Sequence, residues 1–162
     1  MDPIALLYPH VALSLVGIIS GFVVMRDFLQ ARFRPGPVWV FLVTTALTSA
    51  TGYLFQRDHV LPSHIVGAIA LLVMVPTWLA WQPYRLANGW RRTFVLGATV
   101  SQWFNVFVLV AQSFLKVPAL HELAPKGAEP PFAIAQGVVL LLFIAVAVIA
   151  WRRNGPTPVR AR

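Results

Sequence analysis

Along the chain, long apolar runs alternate with short polar and basic connections. Five windows contain no Asp, Glu, Lys or Arg: 3–25, 35–56, 59–84, 93–115 and 130–151. Each can supply a helix of about 20 residues, the length that crosses the hydrocarbon core of a bilayer. The pattern predicts an all-α membrane helical bundle of five transmembrane helices, at about 3–25, 37–55, 62–82, 93–115 and 131–151, in one domain over 1–151. Residues 152–162 carry two prolines and four arginines and read as a disordered basic tail. The first window opens Met1-Asp2-Pro3, without the basic start of a cleaved signal peptide.

The helix ends carry local signals. Pro35-Gly36-Pro37 breaks the chain before the second helix, and Pro62 and Ser63 suit the start of the third. Asn88-Gly89 marks a turn before Trp90, and prolines at 118, 125, 130 and 131 make the fourth connection a structured or semi-rigid loop. Pro76 is expected to kink the third helix.

Within the apolar runs the polar positions are not random. In the fourth helix Gln102, Asn105 and Gln112 are spaced by three and seven and share one face. An amide facing lipid tails lacks partners, so this face is expected to turn inward. In the first helix His10, Ser14, Gly17 and Gly21 form a small and polar face, and Gly17 to Gly21 is a GxxxG, which lets another backbone approach. In the second, Thr44, Thr45, Thr48, Ser49, Thr51 and Gly52 lead to Tyr53. His64, Gly67 and Ala68 share a face of the third, and Gln136 is the single strong polar group of the fifth.

Composition narrows the class. The 162 residues are 58% hydrophobic and 11% charged, too apolar for a soluble domain of this size. There is no cysteine, so disulfides, thiolate metal sites and cysteine nucleophiles are excluded. The net charge of +8 does not indicate nucleic acid, because the basic residues punctuate apolar runs and form no single stripe. Ten of the thirteen basic residues, all arginines, fall in the first and third connections and the tail, while four of the five acids fall on the other side. Basic residues accumulate on the cytoplasmic side. The N-terminus is therefore expected outside and the C-terminus in the cytoplasm, with the protein multi-pass in a bacterial inner membrane.

This orientation gathers His10, His64, Tyr53, Gln112 and Gln136 towards the outer side, with Asn105 near mid-membrane. A metal or proton site using His10 and His64, with His59 or His121, is chemically open, since histidine titrates near neutral pH; two other kinds of site are also consistent with that gathering. One is a b-type haem held between His10 and His64, with Gly17, Gly67 and Ala68 making room for the macrocycle. The other is a set of interhelical hydrogen bonds with no ligand, in which Tyr53, Gln102, Asn105, Gln112 and Gln136 form a polar cluster. No Walker loop, GxSxG or HExxH occurs, and no acid lies inside the apolar windows, as a carboxylate-driven ion pump would need.

At Leu47-Thr48-Ser49-Ala50-Thr51-Gly52-Tyr53-Leu54-Phe55, then Leu61-Pro62-Ser63-His64, and again from Asn105 to Pro118, the chain resembles small, uncharacterised multi-pass membrane proteins of bacteria. That resemblance implies the membrane fold and no activity. More loosely, His10 and His64 resemble the ligands of membrane-bound b-type cytochromes, which implies a redox role at the outer face. Three functions are thus expected in order: an accessory, assembly or scaffold membrane protein contacting lipids and another membrane protein, a haem b redox protein, and a small-solute or proton pathway lined by Asn105 and Gln112.

Overall fold

The computed structural model describes residues 3–55 and 62–155, the side chains of 3–5 and 62–64 excepted. The fold is all-helical, with no strand among the described residues. Its helices are α1 (Pro3–Leu29), α2 (Pro35–Gly52), α3 (Pro62–Trp81), α4 (Trp90–Lys116), α5 (Pro118–Leu123) and α6 (Pro130–Arg153). The five long helices match the five apolar windows, and α5 gives the fourth connection the structure its prolines predict.

The ends differ from the sequence expectation where charge was read as a boundary. α1 runs on to Leu29 through Arg26 and Asp27, and α6 runs on to Arg153. Asn154, expected in a disordered tail, is fully buried. Residues 156–162 lie outside the described residues. Pro76 lies inside a continuous α3.

Three helices are long and apolar enough to cross a membrane: α1 over Leu6–Leu29, α4 and α6. The described apolar stretch of α3, Ile65–Trp81, is shorter. At 18 residues, α2 rises about 27 Å, just under the hydrocarbon thickness. Of the 24 residues of α6, only Ala150 is buried. Ile134, Leu141 and Leu142 are each more than 60% exposed. In water such a face would be an aggregation hazard, whereas lipid tails solvate it.

α4 is the central helix, packed against α1, α3, α5 and α6, while α2 lies between α1 and α3. The closely packed core sits at one end of the bundle. It contains Val24, Met25 and Phe28 of α1, Val38, Phe41 and Leu42 of α2, Met74 and Ala80 of α3, Phe94, Val95 and Ala98 of α4, and Ala150 of α6. This is the arginine-rich end. At the other end Leu7, Tyr8 and Val11 of α1 are exposed.

Candidate functional site

The largest fully buried polar side chain among the described residues is Gln102, on the inner face of α4. Its Nε2 donates to the Ile18 carbonyl of α1 at 2.9 Å. Its Oε1 accepts from Asn105 Nδ2 at 3.4 Å, and Asn105 Nδ2 also donates to Thr45 Oγ1 of α2 at 3.0 Å. Two amides on one helix thus tie together three helices. The spacing of three in sequence places them side by side, as expected from the helical repeat.

Glycine makes this arrangement possible. A Cβ on Gly21 would fall 1.9 Å from Gln102 Oε1, and one on Gly17 would fall 3.2 Å from Thr44 Oγ1. The two glycines of the GxxxG therefore face different neighbours within the same chain, α4 at Gly21 and α2 at Gly17. A third close approach joins α3 and α4, where a Cβ on Gly97 would lie 2.0 Å from Thr77 Oγ1. Ser20, beside Gly21, donates to the Val16 and Gly17 carbonyls of its own helix.

Gln112 and Gln136 are not joined to this network among the described residues. Gln112 follows Asn105 by two turns on the same face, but it is exposed and has no partner among the described residues. At that height the face is uncovered. Gln136 donates from Nε2 to the Phe107 carbonyl at 3.0 Å and so links α6 to α4. Its buried Oε1 and the buried Nε1 of Trp103 have no hydrogen-bond partner. Tyr53 is 43% exposed and lays its ring over Gly67, whose added Cβ would meet the phenol oxygen at 3.3 Å.

His10 is half-buried on α1 and bonds through Nδ1 to Thr51 Oγ1 of α2 at 2.8 Å. Thr51 gives its own proton to the Leu47 carbonyl at 2.7 Å, so it accepts from the imidazole. His10 therefore donates from Nδ1 and, when neutral, keeps its lone pair on Nε2. Phe55 meets the ring edge to face at 5.2 Å. The His64 side chain and His59 lie outside the described residues, and His121 is exposed on α5. The small residues expected to make room for a macrocycle do not open a common space. Gly17 is filled by Thr44 and Thr45, Gly67 by Tyr53, and Ala68 is exposed. No group of three or more metal-ligating side chains occurs among the described residues.

The opposite end holds a second set of polar contacts that the hydropathy pattern did not single out. Asp27, 3% exposed, receives two hydrogen bonds from Arg34, at 2.8 Å from Nε and 2.9 Å from Nη2. The hydrogen bond to Asp27, reinforced by its charge, raises the Arg34 pKa above its ordinary value. Asn154 donates to the Phe28 carbonyl at 2.8 Å, and Arg153 donates to the Leu29 carbonyl. The last turn of α1 is thus satisfied by the end of α6. Arg91 lies 4.5 Å from the centre of the Phe33 ring and Arg92 lies 4.6 Å from that of Trp151. Asp27 is the one acid on the basic side, and that solitary position is the signal that could have marked it.

In the fourth connection the Glu129 carboxylate accepts from the backbone N–H groups of Lys126 and Ala128, each at 3.0 Å. Desolvation pushes its pKa up, but the surrounding backbone N–H groups outweigh that and hold it below the usual carboxylate value.

The polar groups therefore divide into an amide lock at mid-bundle, a histidine–threonine pair towards the end that starts α1, and an arginine–aspartate clamp at the arginine-rich end. No protein-family model, curated protein or solved structure matches this chain, so a functional reading rests on these contacts alone.

Proposed function

We propose that this is a non-catalytic accessory, assembly or scaffold protein of the bacterial inner membrane. It crosses five times, with the N-terminus outside and the C-terminus in the cytoplasm. The observation that carries this reading is the pair of inward amides, Gln102, fully buried, and Asn105, half-buried. Both amides are used in bonds to α1 and α2, as interhelical fasteners in a membrane are. A solute path lined by Asn105 and Gln112 has less support, because the two residues belong to different surroundings. α2 and α3 complete the five crossings: α3 has the 20 residues a crossing needs, and α2, marginal at 18, has its threonines packed against α1.

The test is migration on a native gel after mild detergent extraction at natural expression level. An accessory or assembly protein is expected in a complex much larger than its own 17.9 kDa, and its deletion should reduce that complex. A chain that migrates alone and leaves other membrane complexes intact contradicts the reading.

A second reading, haem b between His10 and His64, keeps one specific support: the Thr51 bond leaves His10 Nε2 as a free ligand. The filled space at Gly17 and Gly67 weighs against it. A reduced-minus-oxidised spectrum decides. Haem bands that disappear in His10→Ala would establish it, and a colourless protein from haem-replete cells would end it.

A further inference from the structure

We propose that the arginine-rich end carries a binding site for the headgroup of an anionic phospholipid. The site is an open cleft of about 350 Å³ lined by Phe33, Trp39, Trp81, Gln82, Arg85 and Leu86. It lies between the start of α2 and the end of α3, the level at which both helices leave the apolar zone. The volume is at the small end of ligand sites, which run from about 300 to 1,000 Å³. It takes a phosphate with its glycerol and leaves the acyl chains along the bundle.

The lining matches that occupant. Phe33, Trp39, Trp81 and Leu86 make an apolar floor, of the kind that interfacial aromatics present to lipid at headgroup depth. Gln82 and Arg85 are exposed donors, and neither side chain has a partner among the described residues. The other charge against the floor is also positive, since Arg91 stacks on Phe33. The nearest acid, Asp27, is already paired with Arg34. The cleft therefore offers uncompensated positive charge above a greasy surface, complementary to a phosphodiester on a glycerolipid.

The backbone gives independent support. Arg85 and Leu86 both adopt left-handed conformations, with φ of 45° and 59°. L-residues with side chains avoid that region. The loop enforces it: Leu86 N–H bonds to the Ala80 carbonyl at 2.9 Å, and Tyr84 stacks on Trp90 at 3.9 Å between ring centres. A glycine would relieve the strain at position 85, yet an arginine stands there. Strained positions held by their surroundings concentrate at binding sites.

The experiment is native mass spectrometry of the full chain in detergent, titrated with phosphatidylglycerol, phosphatidylcholine or inorganic phosphate. Wild type is expected to bind phosphatidylglycerol about tenfold more tightly than phosphatidylcholine, the size of effect that a hydrogen bond to a charged group supplies. Arg85→Gln and Arg85→Gly should both lose that preference, and Arg152→Gln, on the exposed end of α6, should keep it. Arg85→Gly also guards against misfolding, because glycine accepts the left-handed backbone, and it should melt no lower than wild type. Equal binding of the two lipids by wild type overturns the site. So does a preference that survives Arg85→Gly, an equal loss in Arg152→Gln, or displacement of the lipid by millimolar phosphate. The proposal rests on the membrane reading, which fails separately: release of the protein from membranes by carbonate alone overturns both, whereas the lipid results overturn the site only.

Discussion

Gly21 shows how much a single residue decides in this bundle. Gln102 occupies the space a side chain at position 21 would need, since a Cβ there would fall 1.9 Å from its Oε1. Gly21→Ala is expected to cost about 1–3 kcal/mol, as overpacking of a tight core does, and a lowered thermal midpoint in detergent would show it. Gln102→Ala loses the bond to Ile18 but makes room for a methyl group at position 21. The double variant should therefore lose less than the sum of the two, with a coupling of about 1 kcal/mol or more. Strict additivity would mean that the two positions do not meet. Ala31 predicts the opposite sign. It stands at φ 51° just past α1, where Arg32 N–H bonds to the Asp27 carbonyl at 2.8 Å and Ala31 N–H to that of Phe28 at 3.1 Å. This is the Schellman closure, which favours glycine, and Ala31→Gly should stabilise by about 1 kcal/mol in the same melting experiment. Residue-scale chemistry of the first kind was legible in part. Helical spacing put Gln102 and Asn105 together, and the GxxxG flagged Gly17 and Gly21. Which neighbour each glycine admits depends on how α1 is rotated against α2 and α4, which no local pattern encodes.

At the scale of elements, the ends of helices carry the information that hydropathy missed. Asp27 sits in the last turn of α1, where the helix dipole disfavours a negative charge. It is tolerated because Arg34, from the next connection, grips it with two bonds. Removing the cation leaves a buried carboxylate at the negative end of a helix, whereas removing the carboxylate leaves an arginine that is half in solvent. Arg34→Gln should therefore destabilise more than Asp27→Asn, the latter by about 1–2 kcal/mol. Chemical unfolding of the two variants side by side gives the order, and a reversed order contradicts the clamp. The start of α6 is expected to respond to pH. Glu129 has a lowered pKa in the folded chain. Its contribution is therefore present above the ordinary carboxylate value and is lost as pH falls through the lowered one. Amide protection at Lys126 and Ala128, corrected for intrinsic exchange, should fall over that acid range in wild type. In Glu129→Gln it should already be low at neutral pH. The boundaries expected at 25 and 151 fell short of Leu29 and Arg153 because charges were read as exits from the helix. In the fold Asp27 is paired with Arg34 and Arg153 bonds to the Leu29 carbonyl, while Arg26 and Arg152 are exposed.

For the molecule as a whole, the apolar windows sufficed to predict an all-helical membrane protein. Three helices are long and apolar enough to cross a bilayer unaided. α2, at 18 residues, is the marginal one, and its reading as a crossing depends on a partner that hydropathy cannot supply, since it is screened by α1. The expected outer cluster was legible as a list of polar residues but not as a site. Gln102 and Asn105 lock the centre, Gln136 ties α6 to α4, and Gln112 stands uncovered, because the closely packed core lies at the arginine-rich end.

Five crossings and three place most of the chain identically, and they differ at the connection after α2. With five, that connection lies outside the cell; with only α1, α4 and α6 crossing, it lies in the cytoplasm. The chain has no cysteine, so a single introduced thiol reports its own side. Leu54, 56% exposed just beyond α2, is the position to use. A five-span bundle with its N-terminus outside predicts that Leu54→Cys in intact spheroplasts reacts with a membrane-impermeant maleimide. Labelling that appears only after the membrane is permeabilised would contradict it.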